Sequence, residues 1–180
     1  MPSFSSVARK CISTSRRCMS RRALACAFWL LGASIIAAGS ASAGDDGDLL
    51  ITRTVERSFS DARVDLQNAI VNQGLTIDFN GKIGNMLKRT AKDVGATGDL
   101  YSDAEYFTFC SSQLSRRMMD ADPVNMGLCP YVMFVYQRAD SKDKAILGYK
   151  KLPARGAEAS KMALNEINAL LEKILLEASE

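Results

Sequence analysis

The 180-residue chain contains no histidine. That absence removes Ser-His-Asp and Cys-His catalysis, imidazole metal sites and haem held by a histidine axial ligand. Acidic residues are missing over a long first stretch. None occurs before Asp45, whereas six of the 23 basic residues lie within the first 22 positions (Arg9, Lys10, Arg16, Arg17, Arg21 and Arg22). Cysteine is scarce in the body of the chain: Cys11, Cys18 and Cys26 lie near the start, and only Cys110 and Cys129 follow. From residue 44 onward there are no internal repeats and no low-complexity tracts.

What is present begins with the uncharged run Ala23 to Gly44, ALACAFWLLGASIIAAGSASAG, which carries Ala41-Ser42-Ala43 near its end. A basic segment, an apolar segment and a small-x-small site in that order make a secretory signal peptide, residues 1–43, cleaved after Ala43. Met19 would start a signal of ordinary proportions. Ser20-Arg21-Arg22 lacks the Phe and Lys of a twin-arginine signal, so Sec export is expected. Leu24-Ala25-Cys26 precedes the apolar run instead of following it, which argues against lipidation. The mature protein is therefore expected in the periplasm or secreted, with no stable membrane span after cleavage.

Cleavage also reverses the charge. Of the 23 basic residues 17 remain, against all 20 acidic ones, a net charge of −3. The basicity belongs to the export signal, and a general nucleic-acid surface loses its support. Residues 44–180 suffice for one domain with a hydrophobic core.

Alternation from Ile51 to Arg57 predicts a half-buried first strand. Ser60 is the N-cap expected for a helix carrying Val64, Leu66, Ala69, Ile70 and Val71 and closed by Gly74. Leu75 to Asn80 alternates again as a second strand. Ile83, Met86, Leu87, Thr90, Ala91 and Val94 fall on one helical face; Lys88, Arg89 and Lys92 lie off it and read as solvated surface. Tyr106 to Cys110 is an aromatic interior strand. Ser111 or Ser112 caps a short helix bearing Leu114, Met118 and Met119, broken by Asp122-Pro123 and turned at Asn125-Met126-Gly127. Tyr131 to Tyr136 is apolar almost throughout, which predicts a strand covered on both faces or nearly so. A charged hairpin leads to a strand ending at Tyr149. The last helix carries Met162, Ala163, Ile167, Leu170, Leu171, Ile174 and Leu175 as one stripe, for its own core, a partner or a homodimer. The expected fold is α+β, a single sheet with helices mainly on one face, in the order β-α-β-α-β-α-β-β-α. Its domain spans residues 44–156, with an amphipathic helix over 157–180.

These residues resemble domain-of-unknown-function family 302. The likeness rests on Ser58-Phe59 leading into a helix that ends at Gly74, and on the strand Leu75-Thr76-Ile77-Asp78. It continues through Tyr106-Phe107-Thr108-Phe109, the run Leu128-Cys129-Pro130-Tyr131 to Tyr136, and the hairpin to Gly148-Tyr149. It covers roughly residues 50–153. Cys110-Ser111-Ser112 and Cys129 depart from the common pattern and suggest an exported, cysteine-bearing branch. The family has no settled activity; a bacterial origin and a periplasmic destination are what the resemblance and the signal imply.

Cys110 and Cys129 admit three readings. As a disulfide in an oxidising compartment they would close a loop of about 20 residues and contribute roughly 3 kcal/mol in the chain-entropy model. With Met118, Met119 and Met126 they form a soft set of the kind that selects Cu(I). As reversible thiols, Cys110 would draw on Arg116, Arg117 and a nearby helix start for a lowered pKa. No catalytic residue and no cofactor motif stands out. The expected function is non-enzymatic: a binding or accessory protein of the bacterial envelope. A small ligand or envelope protein would dock on an apolar floor between sheet and helices that includes Phe109, Tyr131 and Tyr149.

Overall fold

The structure, a computed structural model, describes residues 49–180; the expected signal peptide lies outside the described residues. Five strands form one antiparallel sheet: β1 (Leu50–Val55), β2 (Ile77–Gly81), β3 (Tyr101–Phe109), β4 (Tyr131–Arg138) and β5 (Ala145–Lys150), in spatial order β1-β5-β4-β3-β2. The helices are α1 (Phe59–Asn72), α2 (Ile83–Thr90), α3 (Ser112–Ala121) and α4 (Glu158–Ser179), with a 3₁₀ turn over Pro123–Leu128. The α+β fold and its element order are those the sequence predicts.

Local chemistry sets the boundaries. Helix α1 starts two residues earlier than its expected cap: Ser58, not Ser60, takes that place. The Ser58 hydroxyl oxygen accepts from the Asp61 N–H and the hydroxyl donates to the Asp61 carboxylate, closing a ring at the helix start. Gly74 then turns the chain at φ 72°, the left-handed conformation glycine adopts without penalty. Ser111 caps α3 by accepting from Leu114 N–H.

Helices α1, α3 and α4 pack on one face of the sheet and on each other. Alternate strand residues point there: Phe107 and Phe109 from β3, Tyr131, Met133 and Val135 from β4, Ala145, Leu147 and Tyr149 from β5, all buried. They meet Leu66 and Ile70 of α1, Met118 of α3, and Leu164, Ile167, Leu171 and Ile174 of α4. The α4 stripe is turned slightly from the expected one. Leu164, not named in it, has no exposure, while Met162 is 56 % exposed. Asn168 lies on the buried side because it serves the backbone: its side chain accepts from Leu152 N–H and donates to Leu152 C=O, pinning the segment between β5 and α4.

The opposite face is different. Its residues alternate with those just named and pair with one another across the strands: Thr52 of β1, Ile146 and Gly148 of β5, Val132, Phe134 and Tyr136 of β4, Ala104 and Tyr106 of β3, with Phe79 of β2. Among the described residues α2 is the element that covers them, and it does so beside β3. The expectation that Tyr131 to Tyr136 is covered on both sides is therefore corrected: Val132, Phe134 and Tyr136 keep partial exposure. Two glycines shape this face. A Cβ on Gly84 would lie 2.8 Å from the backbone nitrogen of Ala104, so glycine lets α2 sit tightly on β3. A Cβ on Gly148 would lie 2.5 Å from the Phe134 ring and 2.6 Å from the Ile51 carbonyl oxygen, so glycine leaves room for that ring to lie across β5.

Candidate functional site

The residues singled out from the sequence lie under the helices. Phe109 and Tyr131 have no exposure and Tyr149 has 4 %. The space between sheet and helices where they were expected to receive a ligand is filled by the protein's own side chains. Phe109 and Tyr131 meet edge to face, centroids 6.0 Å apart. The Tyr131 hydroxyl lies 2.8 Å from Ser115 Oγ. Burial raises the Tyr131 pKa, and the Ser115 hydrogen bond partly offsets that. The Tyr149 hydroxyl donates to Glu172 at 3.1 Å. Desolvation first, then the Glu172 hydrogen bond and charge, push the Tyr149 pKa up to about 12, because both effects disfavour a phenolate.

Cys110 and Cys129 are joined in a disulfide, Cα atoms 6.6 Å apart. It ties the end of β3 to the residue before Pro130, closing the loop that contains α3 and the 3₁₀ turn. Ser115 Oγ stands 3.6 Å from Cys129 Sγ. With both sulfurs in one bond, neither is a thiolate ligand. The methionines of the soft set are dispersed in their environments: Met118 is wholly buried in the core, Met119 packs beside it, and Met126 is 67 % exposed on the 3₁₀ turn.

A concave site lies on the other face of the sheet. A cleft of about 520 Å³ runs between the aromatic floor of β3 and β4 and the overhanging side of α2. Its floor holds Tyr101, Tyr106, Phe134 and Tyr136; Ile83 and Leu87 of α2 and Leu100 form a wall. The rings brace one another. Tyr101 meets Tyr136 edge-on at 5.2 Å, Phe134 stacks on Tyr136 at 6.3 Å, and Phe79 leans on Tyr106 at 6.0 Å. Size and lining match small-molecule sites, which are concave, mostly apolar and supplied with few polar groups. The floor offers tyrosine hydroxyls but no paired carboxylates. Among the described residues, no group of three or more Cys, Asp or Glu is placed to hold a metal ion.

Reading β4 by composition selected Tyr131 and missed Phe134 and Tyr136. The signal that distinguishes them is positional. Phe134 stands opposite Gly148, and a large aromatic across from a glycine in a strand pair marks a ring laid over bare backbone. Strand β3 also begins at Tyr101, five residues ahead of the strand expected from Tyr106.

The family model described as "Domain of unknown function DUF302" matches residues 51–178. Among solved structures the chain is similar to the crystal structure of an uncharacterized conserved protein DUF302 from Bacillus stearothermophilus. Identity is 16 % and the TM-score 0.60, over 73 % of this chain and 99 % of the other. At that identity the likeness concerns the fold. No curated protein matches.

Proposed function

The chain belongs to the DUF302 family, and from that premise we propose that it is an exported, non-enzymatic binding protein of the bacterial envelope that holds a small apolar ligand on the open face of its sheet. The observation that carries the reading is the cleft of about 520 Å³ with its floor of braced aromatic rings. Ordinary folding would cover such a surface or make it polar, since contiguous exposed apolar patches mark interaction sites. Export is supported by the basic-apolar-small order of residues 1–43 and by the Cys110–Cys129 bond, which persists in oxidising compartments. Glycine at 84 and 148 keeps α2 low and Phe134 flat, features that shape a floor and that the core does not need.

Titration with the neutral, apolar fluorophore Nile red tests the binding reading. It should bind with one-to-one stoichiometry, and Phe134→Ser and Tyr136→Ser should each weaken binding at least tenfold while the far-ultraviolet circular dichroism stays unchanged. Absence of saturable binding, or equal binding by both variants, refutes it. Export is tested by the mass of the protein recovered from periplasm or medium, which should correspond to a chain beginning at Gly44.

A further inference from the structure

The proposed binding reading leaves the ligand's polar end unspecified, and the surroundings of α2 specify it. Beside the cleft, and sharing Leu87, Leu100 and Tyr101 with it, lies a second cavity of about 200 Å³. The annex is lined by further apolar groups, among them Ala91, Val94 and Ala96, with Lys88 in its wall. Two apolar cavities that meet along Leu87, Leu100 and Tyr101 offer room for one extended chain laid across both.

The helix that walls both cavities, with its flanks, carries an excess of positive charge, and Lys88 brings it to the annex. From Lys82 to Lys92 the sequence holds four cations, Lys82, Lys88, Arg89 and Lys92, and no acid. The described residues as a whole carry 17 basic and 17 acidic side chains, so this is a local excess on a neutral body. None of the ion pairs among the described residues uses any of the four. Lys88 is also fixed in place. Its Nζ donates to the Ser102 carbonyl at 2.6 Å, and an ammonium has three N–H donors, so two stay free beside the cavity. Asp99 is the one acid in the annex lining, exposed on the loop before β3, and Lys88 is the one cation.

We infer that the ligand is a free, single-chain anionic amphiphile, its apolar chain lying on the aromatic floor and its negative head at Lys88. The inference rests on the binding reading above and adds the head group's sign and place. An uncharged occupant would leave the Lys88 donors facing an apolar tail. A cationic one would meet the Lys88 ammonium.

Displacement of Nile red by two amphiphiles of equal chain length and opposite charge, decanoate and decyltrimethylammonium, tests it on the purified protein at low ionic strength and below micelle formation. Decanoate should displace the dye at a concentration about tenfold lower, in keeping with a hydrogen-bonded charge contact. That preference should shrink when salt is raised. Lys88→Gln, with each displacement referred to that variant's own Nile red affinity and with circular dichroism unchanged, should reduce the ratio to near unity; Lys92→Gln should reduce it less. Equal displacement by the two amphiphiles, or an unchanged ratio in Lys88→Gln, overturns the inference while leaving the binding reading standing. Failure of Nile red itself to bind overturns both. Co-sedimentation with phosphatidylglycerol vesicles, without displacement by decanoate, would assign the basic patch to a membrane surface and also overturn it.

Discussion

Replacing Gly148 by alanine puts one methyl group where two neighbours already stand. The new Cβ would lie 2.5 Å from Phe134 Cζ, 2.8 Å from Phe134 Cε2 and 2.6 Å from the Ile51 carbonyl oxygen. The ring is the far end of a side chain and can swing away. The carbonyl belongs to β1, which pairs with β5 along six residues from Leu50↔Lys150 to Val55↔Ala145, so β1 must part from β5 by several tenths of an ångström. Overpacking of this kind costs about 1–3 kcal/mol, and the backbone component places Gly148→Ala toward the upper end, about 2–3 kcal/mol. Urea unfolding followed by circular dichroism measures it; the chain's only tryptophan, Trp29, lies outside the described residues. A double-mutant cycle with Phe134→Leu separates the two obstacles. Shortening the ring should recover less than half of the loss, because the carbonyl contact stays. If Gly148→Ala unfolds at the wild-type midpoint, or if Phe134→Leu restores it fully, the account of this strand pair is wrong. The single variant should also weaken Nile red binding several-fold, since the displaced ring rises into the cleft.

Three further outcomes are expected. Replacing both Cys110 and Cys129 by serine should lower the unfolding free energy by about 3 kcal/mol, the chain-entropy value for a loop of about 20 residues. Reduction of the native protein should produce the same fall in urea midpoint, and no difference between oxidised and reduced protein would refute a stabilising bond. Tyr149 should titrate late: its folded pKa of about 12 lies above the unfolded value of 10.0. The stability this contributes is complete below pH 10 and is lost as pH rises through 10 to 12; Tyr149→Phe should reduce that slope, the buried Tyr131 keeping part of it, with tyrosinate absorbance following the titration. Asn168→Ala should cost about 3 kcal/mol in urea unfolding, because it leaves both the N–H and the C=O of Leu152, a residue 3 % exposed, without their partner.

Much of this fold is legible in residue order. Alternation marks β1, and helical spacing with Gly74 behind it marks α1, because a strand or helix that buries one side must repeat with its own geometry. The α1 cap was misplaced by two residues because Ser58 and Ser60 are chemically equal candidates. Only Ser58 has an acid three positions on to complete the ring with Asp61. The two sides of β4 were not separable. Tyr131 and Tyr136 look alike by composition, and periodicity fails where both sides are apolar. What tells them apart is tertiary: Ser115 reaches Tyr131, and among the described elements α2 is the one that packs on the other side. Lys88 was read as plain surface. Its anchoring to Ser102 depends on how closely Gly84 lets α2 approach β3, a distance no spacing rule contains.

The sheet divides labour by parity. Along β4, residues 131, 133 and 135 hold the molecule together, while 132, 134 and 136 meet whatever comes from outside. Neighbours one peptide bond apart thus answer to separate selective demands. A lineage could rewrite every second letter of this strand and reshape the open cleft, and the packed body beneath it would scarcely register the change.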